Sequence, residues 1–423
     1  MGASPIPAAG SVRAARPIGA KRRLRAGLTL VAGLALWEPG VAPAAQEQPV
    51  LSDEARISLL TILPGRNQVY EVFGHTALRV RDPRLGLDIA YNYGTFDFGE
   101  DAVDVVAFVA RFAYGDLNYK LSAQDAGRLV EWYWSARRRA VVEQVLDLDA
   151  PEREAVFRFL QNNARPENAH YRYDFFFDNC ATRIVDVLEA TVPGLEFAAR
   201  PPGETLRRLL DPYLGGRPLL HLGMDLGLGI PADREATARE ATFLPEDLAV
   251  YLASGAVSRE GTTRPLVART DTLAWSPGAA ARPSVPPWPT WLLWILLATV
   301  AWITFDEIRG SRASRRWLDA SLYGLLGLAG LLLAFLTFVS LHRVTKMNLN
   351  LCWALPTHLA VAWLFLRRRQ PGWLRPYCLA TGLVAVLFLA GWPIWPQDLP
   401  GTLLPLLLIV ALRSGAFGLG GKT

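Results

Sequence analysis

Cys180 is the residue of this chain best placed for covalent chemistry. It lies in the stretch Tyr171–Leu188, YRYDFFFDNCATRIVDVL, directly after Asp178-Asn179 and ahead of a run with helical apolar spacing at Ile184, Val185 and Leu188. Asp or Asn in front of such a run is a helix N-cap signal, so Cys180 is expected in the first turn of a helix. There the helix dipole and nearby backbone N–H groups favour the thiolate, which is the nucleophilic form. Read alone, a cysteine is more often a small buried hydrophobe than a nucleophile. Cysteine catalysis needs a base to take the thiol proton and a third group to hold that base. His75, His170 and His221 are the histidines of the polar part of the chain. His75 follows Phe73-Gly74 at the mouth of a β-like segment, and His170 lies ten residues ahead of Cys180. Asn92 falls on the segment expected to pair with that of His75, within reach of its ring. Asp178, Asn179 and Tyr93 are the alternatives for the third member.

The elements that must position these residues are legible in outline. Residues 55–63 (ARISLLTIL) read as a buried strand ended by the turn Pro64-Gly65-Arg66-Asn67. His75–Arg81 and Leu87–Tyr93 read as two strands joined through DPRLG, a hairpin connection with both Pro and Gly. Residues 101–136 look helical with a break at Tyr114-Gly115-Asp116, and a short strand at Asn118–Leu121 is the alternative. Residues 139–148 give a further strand, and Asp149-Ala150-Pro151-Glu152 opens a helix that runs to about Asn162. The aromatic run from Tyr171 to Phe177 reads as a strand leading into Asp178. Residues 191–285 are rich in Pro and Gly, with short helices near Thr205–Leu210 and Leu244–Ser254 and a loop over 225–237.

The chain has 423 residues, of which 51% are apolar, and they are unevenly spread. Residues 1–45 carry a basic stretch (Arg13, Arg16, Lys21, Arg22, Arg23, Arg25), a short apolar core at Leu28–Trp37 and an A-x-A site at Ala42-Pro43-Ala44. They are expected to be an export signal or an N-terminal anchor. A soluble domain over 46–274 is expected to leave the cytoplasm, followed by a Pro-rich linker at 275–290 and a transmembrane domain at 291–413. A cytoplasmic tail occupies 414–423. Apolar blocks at about 288–305, 319–341, 349–366, 376–394 and 400–413 each approach the ~20 residues that cross a bilayer. The loops at 306–317 and 367–375 hold four arginines each, which places them and the C-terminus in the cytoplasm. Arg343 and Lys346 in the 342–348 loop fit this pattern less well. The same segment holds His342 and Asn348, with Asn350 and His358 beyond it, near the outer ends of the spans, where polar groups are costly and often functional.

Three cysteines make no disulfide framework, and two of them, Cys352 and Cys378, lie in the apolar blocks. The net charge of +5 comes largely from arginines beside apolar segments, so it reflects membrane topology and not a nucleic-acid surface. No CxxC, HExxH or glycine-rich phosphate loop between strand and helix is present, so metal, nucleotide or other cofactor chemistry is not expected.

VFGHTALRV (72–80), YNYGTFDF (91–98), YRYDFFFDNCATR (171–183) and NLNLCWALPTHL (348–359) resemble the Lnb family, with its N-terminal periplasmic domain and Lnb-type transmembrane domain. The resemblance covers about residues 50–415. A histidine opening a hairpin, a polar residue on the partner strand and a later Asn-Cys at a helix start also resemble the circularly permuted papain-like folds of lecithin retinol acyltransferase and its relatives. The resemblance implies an α+β, permuted papain-like periplasmic domain followed by an all-α transmembrane domain of about five helices in the inner membrane. It implies a cysteine-dependent acyltransferase of lipoprotein maturation. Cys180 would be the nucleophile, His75 the base and Asn92 the orienting group, with first-turn N–H groups as an oxyanion hole. A phospholipid would donate the acyl chain and a diacylated lipoprotein would accept it on its N-terminal cysteine amine. Tyr93, Asn179, Arg183, His342, Asn348, Asn350 and His358 would contact these substrates. A cysteine peptidase, amidase or phospholipase on the same dyad is the alternative enzyme, and a membrane-anchored lipid- or envelope-binding module is the non-enzymatic one.

Overall fold

A strand whose residues alternate between two faces must bury at least one face, and here both faces of a sheet are covered. The computed structural model describes residues 49–96, 102–199, 203–259, 261–275, 282, 284–310 and 315–420. The expected signal at 1–45, residues 276–281 and 283 of the linker and residues 421–423 of the tail lie outside these. The strands of the sheet are β1 (Arg56–Ile62), β2 (His75–Asp82), β3 (Leu87–Thr95), β4 (Leu117–Asp125), β5 (Val141–Leu146), β6 (His170–Tyr173) and β10 (Val267–Ala274). They are antiparallel, ordered β10-β5-β1-β2-β3-β4-β6. A small sheet joins β7 (Leu195–Glu196), β8 (Ala256–Arg259) and β9 (Thr262–Pro265). One face of the large sheet packs Ile57, Leu59, Leu78, Val80, Tyr91 and Tyr93 against α3 (Ala150–Asn163) and α4 (Cys180–Thr191). The other packs Leu60, Ile62, Ala77 and Ala90 against Leu129 and Tyr133 of α2 (Ala126–Ser135). Each fully buried Leu or Ile contributes roughly 2 kcal/mol.

α1 (Ala102–Tyr114) stops at Gly115, whose φ of +86° suits glycine, and the chain then takes the strand alternative over a longer stretch than Asn118–Leu121. Leu117, Tyr119 and Leu121 point into the core on alternate positions, so period two wins over helical period there. The aromatic run ahead of Cys180 is a strand only to Tyr173. Asp174 Oδ1 accepts from the backbone of Phe176 and Phe177, and Asp174 and Asp178 exchange backbone bonds of 2.9 and 3.0 Å, which turns the chain. The Pro/Gly-rich region holds more structure than its composition suggests: α5 (Asp211–Leu214), α6 (Pro218–Gly227), α7 (Ala238–Ala241), α8 (Pro245–Ala253) and the polar edge strand β10. α6 takes the first part of the stretch expected as a loop.

The apolar blocks form α9 (Trp288–Ile308), α10 (Arg316–Ala334) with a π turn to Val339, α11 (His358–Phe365), α12 (Leu374–Ala390) and α13 (Leu403–Leu419). Among the described residues two helices, Trp288–Ile308 and Arg316–Val339, are long and apolar enough to cross a membrane. The third expected span, 349–366, is not one helix. It is a 3-10 turn at Leu349–Cys352, a bend, and the eight-residue α11. Irregular backbone at membrane depth survives where protein buries it. Trp353, Ala354 and His358 are buried, and α10 meets the bend through glycine: a Cβ on Gly330 would lie 2.3 Å from Ala354 O, and one on Gly327 2.6 Å from Leu359 N.

Val50–Thr423 is one compact unit, and two loops of the helical part dock on the sheet part. Leu341 N donates to Tyr114 O (2.6 Å), Asn348 Nδ2 to Leu226 O (2.7 Å), and Gln397 Nε2 to Leu228 O (3.1 Å). Gly229 N donates to Val344 O at 2.8 Å, so close that a Cβ on Gly229 would sit 1.9 Å from Lys346 O. The loops that dock, 340–348 and 391–402, alternate along the chain with the arginine-rich ones.

Candidate active site

Local chemistry fixes Cys180 at the first residue of α4. The Asn179 side chain accepts from Ala181 N (2.8 Å) and Thr182 N (3.0 Å), and Thr182 Oγ1 accepts from Asn179 N (2.9 Å), which closes a capping box. Asn179 Nδ2 in turn donates to the carbonyls of Phe175 and Phe243, both at 2.8 Å. Behind Cys180, Ala181, Ile184, Val185 and Leu188 are buried against the sheet. The cap has a chemical consequence. Two of the first-turn N–H groups expected to form an oxyanion hole are already bonded to Asn179, and Arg183 N is bonded to Asn179 O. The Cys180 N–H is the remaining first-turn donor.

His75 opens β2, and its Nε2 lies 2.6 Å from Asn92 Oδ1 of β3. The β2–β3 register sets Leu78 opposite Tyr91. Continued past the ladder, it sets Gly94 opposite His75 and Asn92 on the same face. Gly94 has φ +101°, and a Cβ there would stand 3.4 Å from His75 Cε1 and 3.6 Å from Cys180 Cβ. The bare backbone of Gly94 is therefore what lets thiol and imidazole meet. Sequence reading passed over Gly94 although it sits inside the YNYGTFDF motif.

Burial is the strongest single influence on Cys180 and opposes ionisation. The charge of His75 and the nearby polar groups of His75 and Thr76 together outweigh it and hold the thiol below its ordinary pKa. The buried Thr76 Oγ1 has no hydrogen-bond partner of its own. Four tyrosines, Tyr119, Tyr133, Tyr171 and Tyr173, lie near enough to feel the charge of Cys180, and burial raises the pKa of each, that of Tyr133 to about 12. They stay neutral donors. The Tyr171 hydroxyl is buried and has no hydrogen-bond partner, while its ring carries the Arg183 guanidinium at 3.9 Å.

The remaining sequence candidates hold the scaffold. Tyr93 is buried, with its hydroxyl accepting from Asn163 Nδ2 at 2.9 Å. Arg183 makes a two-pronged pair with Asp178 (2.6 and 2.8 Å). His170 is exposed on β6. His221 bonds Asp211 (3.0 Å) in a cavity of about 320 Å³ where the sheet part meets Thr290 and Thr402. His342 Nε2 binds Phe112 O at 2.7 Å. Asn348 Oδ1 accepts from Asn350 N, and Asn350 Nδ2 donates to Leu226 O. His358 is fully buried between Trp353 O (3.0 Å) and the Tyr377 hydroxyl (2.8 Å). The structure brings Cys180, His75 and Asn92 together, and gives the four distal residues partners inside the protein.

Residues 46–212 match the family model described as the Lnb N-terminal periplasmic domain, and residues 282–419 match the one described as the Lnb transmembrane domain. The chain is thus a membrane protein with a periplasmic N-terminal part. No curated protein and no solved structure matches it.

Proposed function

Because the chain belongs to the Lnb family, we propose that it is a membrane-bound acyltransferase that carries an acyl chain on Cys180 from a phospholipid to the N-terminal cysteine amine of a diacylated lipoprotein. The observation that carries this reading is the Asn92–His75–Cys180 constellation, with its lowered thiol pKa, on a domain clasped to membrane-spanning helices.

The geometry supports the following chemistry. Asn92 accepts from His75 Nε2–H and leaves Nδ1 to take the thiol proton. The thiolate attacks an ester carbonyl of the phospholipid. The Cys180 N–H and the unpartnered Tyr171 hydroxyl stabilise the oxyanion. His75 returns its proton to the departing glycerol oxygen, so a lysophospholipid leaves and a thioester remains on Cys180. The lipoprotein amine then attacks the thioester and loses a proton through His75, and the Cys180 thiol is restored. Both substrates keep their tails in lipid, which suits a catalytic domain held at the membrane surface. α1 shows Val105, Val106, Val109 and Phe112 to the outside beside the loop that follows α10, as a helix lying in the interface would. The topology that goes with this reading is an inner-membrane protein with a cytoplasmic C-terminus.

The test is mass spectrometry of lipoprotein N-termini in a strain lacking this protein and its functional equivalents. Wild type restores the third acyl chain, and Cys180→Ala does not. Restoration by Cys180→Ala overturns the reading. Hydrolysis of lipid or peptide by wild type, without N-acylation, assigns the dyad to a hydrolase.

A further inference from the structure

Lys and Arg concentrate in cytoplasmic loops, so positive charge on the outer side of a membrane protein needs a reason. The loop after α10 docks on the sheet part and yet carries Arg343 and Lys346. Both line a cavity of about 470 Å³ together with Phe177, Arg234 and Glu240. Arg234 and Glu240 neutralise each other, with Arg234 Nη1 donating to Glu240 Oε2 at 2.8 Å, and this bond holds the Glu240 carboxyl ionised, down at about 2. Arg343 meets the Phe177 ring at 4.8 Å, and Lys346 Nζ donates to the carbonyl of Ser340. Among the described residues neither cation has a carboxylate partner.

The loop that carries the two charges is also held in place. Thr345 Oγ1 donates to Leu336 O (2.7 Å), Leu341 N to Tyr114 O, and Gly229 N to Val344 O, while Met347 takes a φ of +49° that few non-glycine residues adopt. Two cations without a carboxylate partner, side by side on a fixed loop, favour an anion. The wall is shared with the catalytic loop, since Phe177 stands three residues before Cys180.

We propose that this cavity binds the phosphate of a glycerophospholipid headgroup, with Arg343 and Lys346 as its ligands. The donor lipid is then held by its phosphate with its ester bonds toward Cys180. This deepens the acyl-transfer reading and rests on it for the role of the lipid.

The test uses the full-length protein in neutral detergent and native mass spectrometry. Phosphatidylethanolamine is compared with diacylglycerol of the same chains, which lacks the phosphate, on a Cys180→Ser background that prevents turnover. The unaltered cavity retains phospholipid in preference to diacylglycerol. Arg343→Gln combined with Lys346→Gln lowers phospholipid retention roughly tenfold or more, and Arg343→Lys lowers it less. Equal retention of the two lipids by the unaltered cavity overturns the proposal, and that comparison involves one folded protein, so a misfolded variant cannot imitate it. Equal retention of phospholipid by the double variant overturns it as well. Inorganic phosphate added in excess is the third arm: if it is retained alone and displaces the lipid, the cavity takes free phosphate and the lipid assignment falls. A thioester mass shift on Cys180 in the wild-type background reads the reaction separately. Its absence with lipid preference intact removes the acyl transfer and leaves the phosphate site standing.

Discussion

Asn92 Oδ1 lies 2.6 Å from Nε2 of His75. Strand β2 supplies the imidazole, β3 supplies the amide, and α4 brings in the thiol from the far end of the domain sequence. An amide oxygen accepts and cannot donate, so it fixes the neutral ring as the Nε2–H tautomer, and in the proposed reaction it would steady the imidazolium formed when Nδ1 takes the thiol proton. The bond therefore controls which nitrogen faces Cys180.

Loss of that bond is expected to slow Cys180 acylation without unfolding the domain. Asn92→Ala removes a hydrogen bond to a ring that becomes charged, which corresponds to roughly a 10- to 100-fold fall in the rate of thioester formation. Asn92→Asp restores an acceptor and recovers most of the rate. The check is single-turnover thioester formation followed by intact mass, with the pH profile of Cys180 alkylation alongside. An Asn92→Ala rate equal to wild type removes Asn92 from the positioning role.

The lowered thiol pKa sets the direction of a pH experiment. Iodoacetamide alkylation of Cys180, read at the peptide level, reports thiolate, so its midpoint should fall below the ordinary thiol value of about 8.5. His75 is the largest influence favouring the thiolate, and burial remains when it is removed. In His75→Ala the midpoint moves up past the ordinary value. A midpoint that does not respond to His75 breaks the dyad.

What could be read from the sequence was what local rules decide. The Asn179 cap, the β2–β3 hairpin and the Asp149 capping box follow from residue types within a few positions of each other, and the structure forms all three. Asn92 was within reach because hairpin register is set by alternation. Gly94 was not, because its need for a bare backbone comes from two other segments meeting over it. The third span was misjudged because hydropathy counts apolar residues and takes no account of Gly327 and Gly330, which admit a bent backbone. Asn348 stood out for its polarity at membrane depth, but its partner Leu226 is 122 residues away in sequence. The two cations beside it, Arg343 and Lys346, were the ones that faced a cavity.

Gly94→Ala tests the packing argument. The φ of +101° disfavours any side chain, and the new methyl would press on His75 Cε1. A stability loss of about 1–3 kcal/mol is expected from the strained backbone. The Cys180 alkylation midpoint should rise at the same time, because the ring is displaced. Gly86→Ala, also at positive φ but with open space around it, should lose comparable stability with the midpoint unchanged. A midpoint unmoved in Gly94→Ala would show that the dyad tolerates a side chain there.

Tyr171→Phe separates an oxyanion donor from a structural tyrosine. A buried hydroxyl with no partner costs stability, so deleting it should leave the melting temperature unchanged or raise it. If that hydroxyl donates to the oxyanion, thioester formation falls roughly 10²- to 10³-fold while the alkylation profile of Cys180 stays in place. A melting temperature that rises with no loss of rate would assign Tyr171 to packing alone.

The helical part carries its own buried charge. Arg413 of α13 makes a two-pronged pair with Asp319 of α10, both bonds at 2.8 Å, and reaches Thr304 (2.9 Å) and Glu307 (2.6 Å) of α9. Arg413 and Asp319 are almost fully buried, so removing one partner strands the other in a medium that solvates it poorly. Asp319→Ala is expected to cost about 3–5 kcal/mol, read as thermal unfolding of the full-length protein in detergent. Glu307 remains beside Arg413 in that variant, which places the loss toward the lower end. Replacing both charges, as Asp319→Leu with Arg413→Met, removes the stranded cation and should recover much of the loss. Glu307 then loses its cation, but it keeps the Arg315 N–H, which donates to its Oε1 at 2.7 Å, and about 12% of its side chain is exposed. A double variant no more stable than Asp319→Ala would show that the three helices depend on this ion pair itself, and that apolar packing of equal volume cannot replace it.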